Sequence, residues 1–338
     1  MENLNSEGSC MTTKLFVSMV LGLGVSVAHL ALGAELELVQ SIPLPNVRGR
    51  IDHMAVDVAG ERLFVAALGN NTLEVIDLKR GARIRSIDGF GEPQGVAHVA
   101  QSNRVFVASG SANKVDLLDG ASLAPIRRLD GLEDADNVRY DAKASQIYIG
   151  YGSGGLRVLD AATGDALGEI KLSGHPESFQ LEEGGVRIFV NVPTAGQIAV
   201  LDRMQRKVVG TWTLDGATAN FPMALDEAGQ RLFVGVRRPA QLLVYDTSSG
   251  KLVTRLAIGE DTDDLFFDAA RKRIYAICGE GVISVVQQDE ADRYTIAETV
   301  RTASRARTGL FVPALRRLYV AAPSRFGSEA EVRVYLVR

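Results

Sequence analysis

One short phrase recurs seven times along this chain and constrains its fold more than any other feature. Each copy reads polar, aliphatic, aromatic, then aliphatic or alanine. The copies are Arg62-Leu63-Phe64-Val65, Arg104-Val105-Phe106-Val107, Gln146-Ile147-Tyr148-Ile149, Arg187-Ile188-Phe189-Val190, Arg231-Leu232-Phe233-Val234, Arg273-Ile274-Tyr275-Ala276 and Arg317-Leu318-Tyr319-Val320. They are spaced by 42, 42, 41, 44, 42 and 44 residues. A unit repeated at this interval cannot bury its own apolar face and must stack on its copies.

Other parts of the unit keep the same register. Some fifteen residues after the phrase, an apolar strand ends in Asp77, Asp119, Asp160, Asp202 or Asp246, and a turn rich in Gly, Ser, Thr, Lys or Arg follows. A further strand comes next, such as Leu252 to Ile258, and each phrase is preceded by a short strand and a tight turn. Apolar spacing of two rather than three and four makes these strands, not helices. Four short strands per unit predict a propeller blade, so the chain reads as an all-β, seven-bladed β-propeller. The seventh unit runs out after its third strand, near Val337, whereas Leu36 to Leu44 is a strand with no unit of its own. Donating that strand to the last blade closes the ring and removes an open edge. The predicted domain spans residues 36–338.

The first 34 residues read as an address. Lys14 precedes an apolar run, Leu15 to Leu32, which leads to Ala31-Leu32-Gly33-Ala34 and then Glu35. A basic residue, an apolar stretch and a small-residue exit describe a secretory signal peptide, with cleavage after Gly33 or Ala34. The run also approaches the length of a membrane span, so an uncleaved anchor is the alternative. Cleavage predicts a periplasmic or secreted protein with no stable membrane span. It leaves Cys278 as the only thiol, which excludes an internal disulfide and a Cys-rich metal site. With 41 acidic against 37 basic residues, no nucleic-acid partner is expected.

The repeated phrases, each followed by a Val-x-Val-x-Asp-like strand and a Thr-Gly-like turn, resemble the YVTN repeat. The whole mature chain is similar to the YncE-like, YVTN-type family of exported bacterial seven-bladed propellers. The resemblance implies the fold and leaves function open. Related propellers include surface-layer-like proteins, the heavy chain of quinoprotein amine dehydrogenase, and lactonases.

Aligning the seven units exposes a candidate site. Ten residues before each phrase stand Asp52, Gln94, Asp136, Glu177, Phe221, Asp263 and Arg307, six of the seven polar. Two residues later each strand is apolar or small: Met54, Val96, Val138, Phe179, Met223, Leu265, Gly309. Polarity is thus confined to the start of the innermost strand, and closure would gather it into an acidic funnel at one end of the channel. Neighbouring positions add His53, Asn137, Ser178, Asp264 and Thr308, with Arg50, Asp134, His175, Asn220 and Asp261 just upstream. On the same face Arg237 stands in a connection between strands, able to hold an anionic group or simply to be solvated.

Arg307 should fall between Asp263 and Asp52 in a structural ion-pair network. Asp136 and Glu177 fall on adjacent blades with no basic ring residue on either side. Two such carboxylates raise each other's pKa or attract a cation. Asp136, Glu177 and Asn137 are therefore candidate ligands for a divalent cation such as Ca²⁺, with Asp52 or Asp263 as further oxygens. An organic cation is the alternative, with Phe221 offering an aromatic face. His53, beside Asp52, and His175 are candidate general bases.

Ligand-binding expectations therefore fall on Asp52, Gln94, Asp136, Asn137, Glu177, Asn220, Phe221, Asp263, Asp264, Arg307 and Arg237. No Cys-x-x-Cys-His, His-Glu-x-x-His or Gly-x-Ser-x-Gly motif occurs, so haem attachment and the familiar hydrolase signatures are absent. The favoured reading is a binding or scaffold module for a small molecule or protein partner. A metal-dependent lactonase, hydrolase or lyase-like enzyme is the alternative, and a quinone-linked dehydrogenase subunit rests on fold analogy alone.

Overall fold

The computed structural model describes residues 34–152 and 154–338; the expected leader of residues 1–34 lies, but for Ala34, outside the described residues. Seven antiparallel sheets of four strands each account for the strands from Leu36 to Val337. Six sheets use consecutive strands, as blade one does with Met54–Asp57, Arg62–Ala67, Thr72–Asp77 and Ala82–Ile87. The seventh contains Gly309–Val312, Arg317–Ala322 and Ala330–Val337, and takes Leu36–Leu44 as its outer strand. The donated strand pairs antiparallel to Ala330–Val337, from Leu36 opposite Val337 to Leu44 opposite Ala330. The all-β, seven-bladed propeller closed by the N-terminal strand is therefore the observed architecture.

The packing explains the repeated phrase. Neighbouring side chains on a strand point to opposite faces, so the aromatic residue faces one adjacent blade and its flanking aliphatics face the other. Phe64 packs with Val105 and Val107 of blade two, while Leu63 and Val65 pack with Tyr319 and Val334 of blade seven. Phe106 likewise meets Ile147 and Ile149, Tyr148 meets Ile188 and Val190, and Phe189 meets Leu232 and Val234. Phe233 meets Ile274, and Tyr275 meets Leu318 and Val320. The second strand of each blade is covered on both faces, which is why Leu63 through Ala67 are all fully buried and read as a continuous apolar run.

The recurring aspartate has a local cause. Asp119, Asp160, Asp202 and Asp246 each accept, at Oδ1, the backbone N–H groups of the residues two and three positions on. The side chain thus organises the turn that starts the outer strand.

Neighbouring blades also interlock at the ring positions. The N–H of His53 donates to the Gln94 carbonyl at 3.3 Å, that of Ser178 to Phe221 at 3.3 Å, and that of Asp264 to Arg307 at 3.1 Å. The Thr308 hydroxyl donates to the Ile51 carbonyl at 3.0 Å, joining blade seven to blade one.

If the donated strand closes the ring, Leu44→Ala should destabilise the protein by about 2–5 kcal/mol, as a core leucine does. Leu318→Ala, inside the same blade, should cost a similar amount. Chemical denaturation measures both, and a near-neutral Leu44→Ala would contradict closure by this strand.

Candidate functional site

The ring positions come together at one end of the innermost strands, and their charges divide into two halves. Arginines hold one half. The Arg50 guanidinium lies 2.9 Å from Asp52 and 3.5 Å from Asp263. Arg237 donates to Asp263 at 2.6 Å and stands 3.3 Å from Asp261. Arg307 donates to both Asp261 oxygens at 3.0 Å and stands 2.9 Å from Asp263. Three guanidiniums thus surround Asp263, while burial presses its pKa upward against Arg307 and Arg237.

This network differs from the sequence expectation in detail. Arg307 does not bridge Asp263 to Asp52; it turns to Asp261, and Arg50 makes the bridge instead. Arg237 is not a solvated turn residue, since its guanidinium is drawn in to Asp263 and lies 3.9 Å from the centre of the Phe221 ring. Phe221 therefore already stacks against one cation. Asn220 is fully buried, and its amide donates to Asn191 Oδ1 at 2.9 Å and to the Gln197 carbonyl at 3.0 Å. That makes it a link between blades four and five. Asp52 and Asp263 both lie against the Arg50 guanidinium.

The other half has no arginine paired to its ring carboxylates. Asp136, His175 and Glu177 each place one potential ligand atom within 4.8 Å of the others. Among the described residues, no lysine or arginine nitrogen lies within 4.0 Å of either carboxylate. Backbone bonds fix both acids: the Asp136 N–H donates to the Gly150 carbonyl at 2.9 Å, and the Glu177 N–H to the Asn191 carbonyl at 3.0 Å. A Cβ on Gly95 would meet the Asp136 carbonyl oxygen at 2.1 Å, so only glycine lets blade two approach this closely. Burial, with Glu177 alongside, pushes the Asp136 carboxyl up to about 7. Burial, with Asp263 and Asp52 nearby, pushes Glu177 up to about 7 as well.

The two histidines take different roles. His53 Nδ1 lies 3.4 Å from Asp264, and its Nε2 lies 3.8 Å from Asp52 and 4.0 Å from Asp136. Burial pulls its pKa down, but Asp264 and Asp52 overcome that and push it to about 10. His53 is therefore a cation near neutral pH, with no lone pair to act as the expected general base. Asp264 is further occupied by the Gly309 N–H at 2.8 Å. His175 sits on the connection before Pro176, and its Nδ1 lies 2.8 Å from the Gly152 carbonyl and 3.7 Å from Asp134. A carbonyl can only accept, so Nδ1 carries a proton, and the tautomer this selects has its lone pair on Nε2. Gln94 donates to Asp134 at 3.2 Å. Asn137 is buried beside Asp136, and its Oδ1 has no hydrogen-bond partner.

Inside the ring a cavity of about 370 Å³ is lined by His53, His98, Arg139, Gln180 and Asp264, among others. Arg139, not anticipated from the sequence, lies 5.6 Å from the centre of the Phe179 ring and 3.4 Å from the Ser178 hydroxyl. The thiol of Cys278 is buried and pushed up to about 12 by that burial, which makes it a core residue rather than a nucleophile. No helix among the described residues is long and apolar enough to cross a membrane.

Fold and site together define a closed seven-bladed propeller whose buried charges gather at one end of the ring. No protein-family model matches the chain, and no curated protein matches it. Solved structures do. A chain in the crystal structure of a mitotic checkpoint complex is 14% identical, with a TM-score of 0.77 over 96% of this chain and 99% of that one. A chain of the hydrazine synthase of Kuenenia stuttgartiensis is also 14% identical, with a TM-score of 0.73 over 87% of this chain and 98% of that one. At such identity the likeness establishes the fold alone.

Asp136 and Glu177 both bind a proton more tightly in the folded chain than at their ordinary values of 3.8 and 4.5. Between about pH 4 and 7 the folded state therefore holds the extra protons, and stability contributed by these groups falls as pH rises. Asp136→Asn should raise stability more at pH 8 than at pH 4.5 in chelator-treated protein, by a difference of at least about 1 kcal/mol. Denaturation at the two pH values tests this; an equal effect at both would contradict it.

Proposed function

We propose that this chain is an exported, YVTN-type and YncE-like binding module, and that its funnel takes the cationic end of a small ligand or partner segment between Asp136 and Glu177. One observation carries the reading. Asp52, Asp261 and Asp263 are held by arginines, whereas Asp136 and Glu177 converge without one. One buried and one half-buried carboxylate with no lysine or arginine within 4.0 Å, and only His53 at that distance from Asp136, are costly unless they are protonated or receive a cation. The propeller fold supports a binding or scaffold role in general, and the sevenfold Leu-Phe-Val-Ala-like phrase supports the YVTN assignment. Export is supported by Lys14, the apolar run to Leu32 and the small-residue exit at Gly33-Ala34. The charge on His53 leaves His175 as the base candidate for the hydrolase or lyase alternative.

Protonated primary amines and quaternary ammonium ions are the direct probes. On chelator-treated protein at pH 8, at least one of these classes should raise the thermal midpoint. The Asp136→Asn, Glu177→Gln double variant should abolish that rise. No response from the wild type, or an equal response from the double variant, would contradict the reading. Export predicts that protein recovered from the periplasmic or secreted fraction begins at Ala34 or Glu35 on N-terminal sequencing. Recovery in the membrane fraction with the first 33 residues attached would contradict it.

A further inference from the structure

We propose that Asp136, His175 and Glu177 form a site for a first-row divalent metal ion such as Zn²⁺ or Mn²⁺. This deepens the reading of the funnel as a cation-binding mouth and rests on it. The first ground is composition and convergence: one imidazole and two carboxylates, from the connections preceding the innermost strands of blades three and four, bring ligand atoms within 4.8 Å of one another. Bonds of about 2.1 Å to nitrogen and oxygen place the ligands of a single ion about 3–4 Å apart. A small rotation of the half-buried Glu177 side chain would narrow that gap while His175 keeps its bond to Gly152.

The second ground is an unsatisfied group. Asp136 is only 7% exposed, yet its Oδ1 has no hydrogen-bond partner. A buried carboxylate oxygen without a donor is rare and calls for an explanation. The nearest histidine atom, Nε2 of His53, stands 4.0 Å away, outside hydrogen-bond reach. An ion in the trio would satisfy it.

The third ground is the orientation of His175. Its Nδ1–H is bonded to the Gly152 carbonyl at 2.8 Å, and Asp134 stands 3.7 Å from the same nitrogen. Metal-bound histidines are held in this manner: the second ring nitrogen donates to a carbonyl or carboxylate, which fixes the tautomer and raises ligand basicity. The same donor set argues against Ca²⁺, the ion expected from the oxygen ligands alone. Calcium takes six to eight oxygens, whereas an imidazole with carboxylates suits zinc and its first-row neighbours. Water completes the shell, and an open position would remain for a ligand atom from solution.

Titration calorimetry of chelator-treated, untagged protein with Zn²⁺, Mn²⁺ and Ca²⁺ tests the site. The expected result is one Zn²⁺ or Mn²⁺ per chain, bound at least tenfold more tightly than Ca²⁺. His175→Ala and Glu177→Gln should each weaken the transition ion at least tenfold while neither lowers the thermal midpoint of the metal-free protein by more than a few degrees. Co²⁺ in the wild-type site should give a visible d–d band that His175→Ala shifts or removes. Failure of the wild type to bind Zn²⁺ or Mn²⁺, or unchanged affinity in His175→Ala, would overturn the proposal. If amines bind the mouth while these ions do not, the cation-binding reading stands and the metal site falls. If neither binds, both fall.

Discussion

The structure depends on one contact made seven times: an aromatic ring of one blade set against the aliphatic side chains of the next. Phe64 against Val105 and Val107 is the first instance, and Tyr319 against Leu63 and Val65 is the last. Aromatic and aliphatic side chains on alternate faces of one strand let every blade serve both neighbours. The sheets twist, so such a row bends into a ring rather than a stack. Its two ends meet where Leu36–Leu44 completes the sheet of Ala330–Val337. With no disulfide available to a chain whose described residues contain only Cys278, this packing and this one strand exchange hold the circle shut.

Closure also brings charge together. Residues as far apart in sequence as Arg50 and Asp263, or Asp261 and Arg307, become partners because blade seven lies beside blade one and blade six beside blade seven. Burying carboxylates in a protein interior is costly unless each finds a cation or a proton. The arginine half of the ring meets that cost with Arg50, Arg237 and Arg307. The other half uses His53, whose charge is shared among Asp264, Asp52 and Asp136, and leaves Asp136 and Glu177 short of a cation. This imbalance is the most informative chemical property of the molecule.

Much of this arrangement could be read from the sequence because a repeat carries geometry with it. The interval between phrases places the residue ten positions upstream of each phrase at the same point of each blade, so the adjacency of Asp136 and Glu177 was legible without coordinates. Side-chain reach was not. A period locates Cα atoms, but whether Arg307 reaches Asp52 or Asp261 depends on a long side chain choosing among acids at similar range. Arg50, only two residues before Asp52, proved to be the bridge to Asp263, and its place in the upstream row was the one available hint. The burial of Asn220 between blades and the cover that Arg237 lays over Phe221 follow from local turns that vary between repeats. His175 could be seen to lie on a connection, since Pro176 follows it, but the Gly152 carbonyl that fixes its tautomer comes from a hairpin turn of blade three.

The account stands on Asp136 and Glu177 being neighbours without a lysine or arginine partner, and carboxyl-carbon NMR of protein labelled with ¹³C at aspartate and glutamate reads that directly. In metal-free protein the account predicts two carboxyl resonances that titrate near pH 7, both of which change when either residue is replaced by its amide. Titration of both carboxyls near pH 4, each indifferent to the other's replacement, would contradict it.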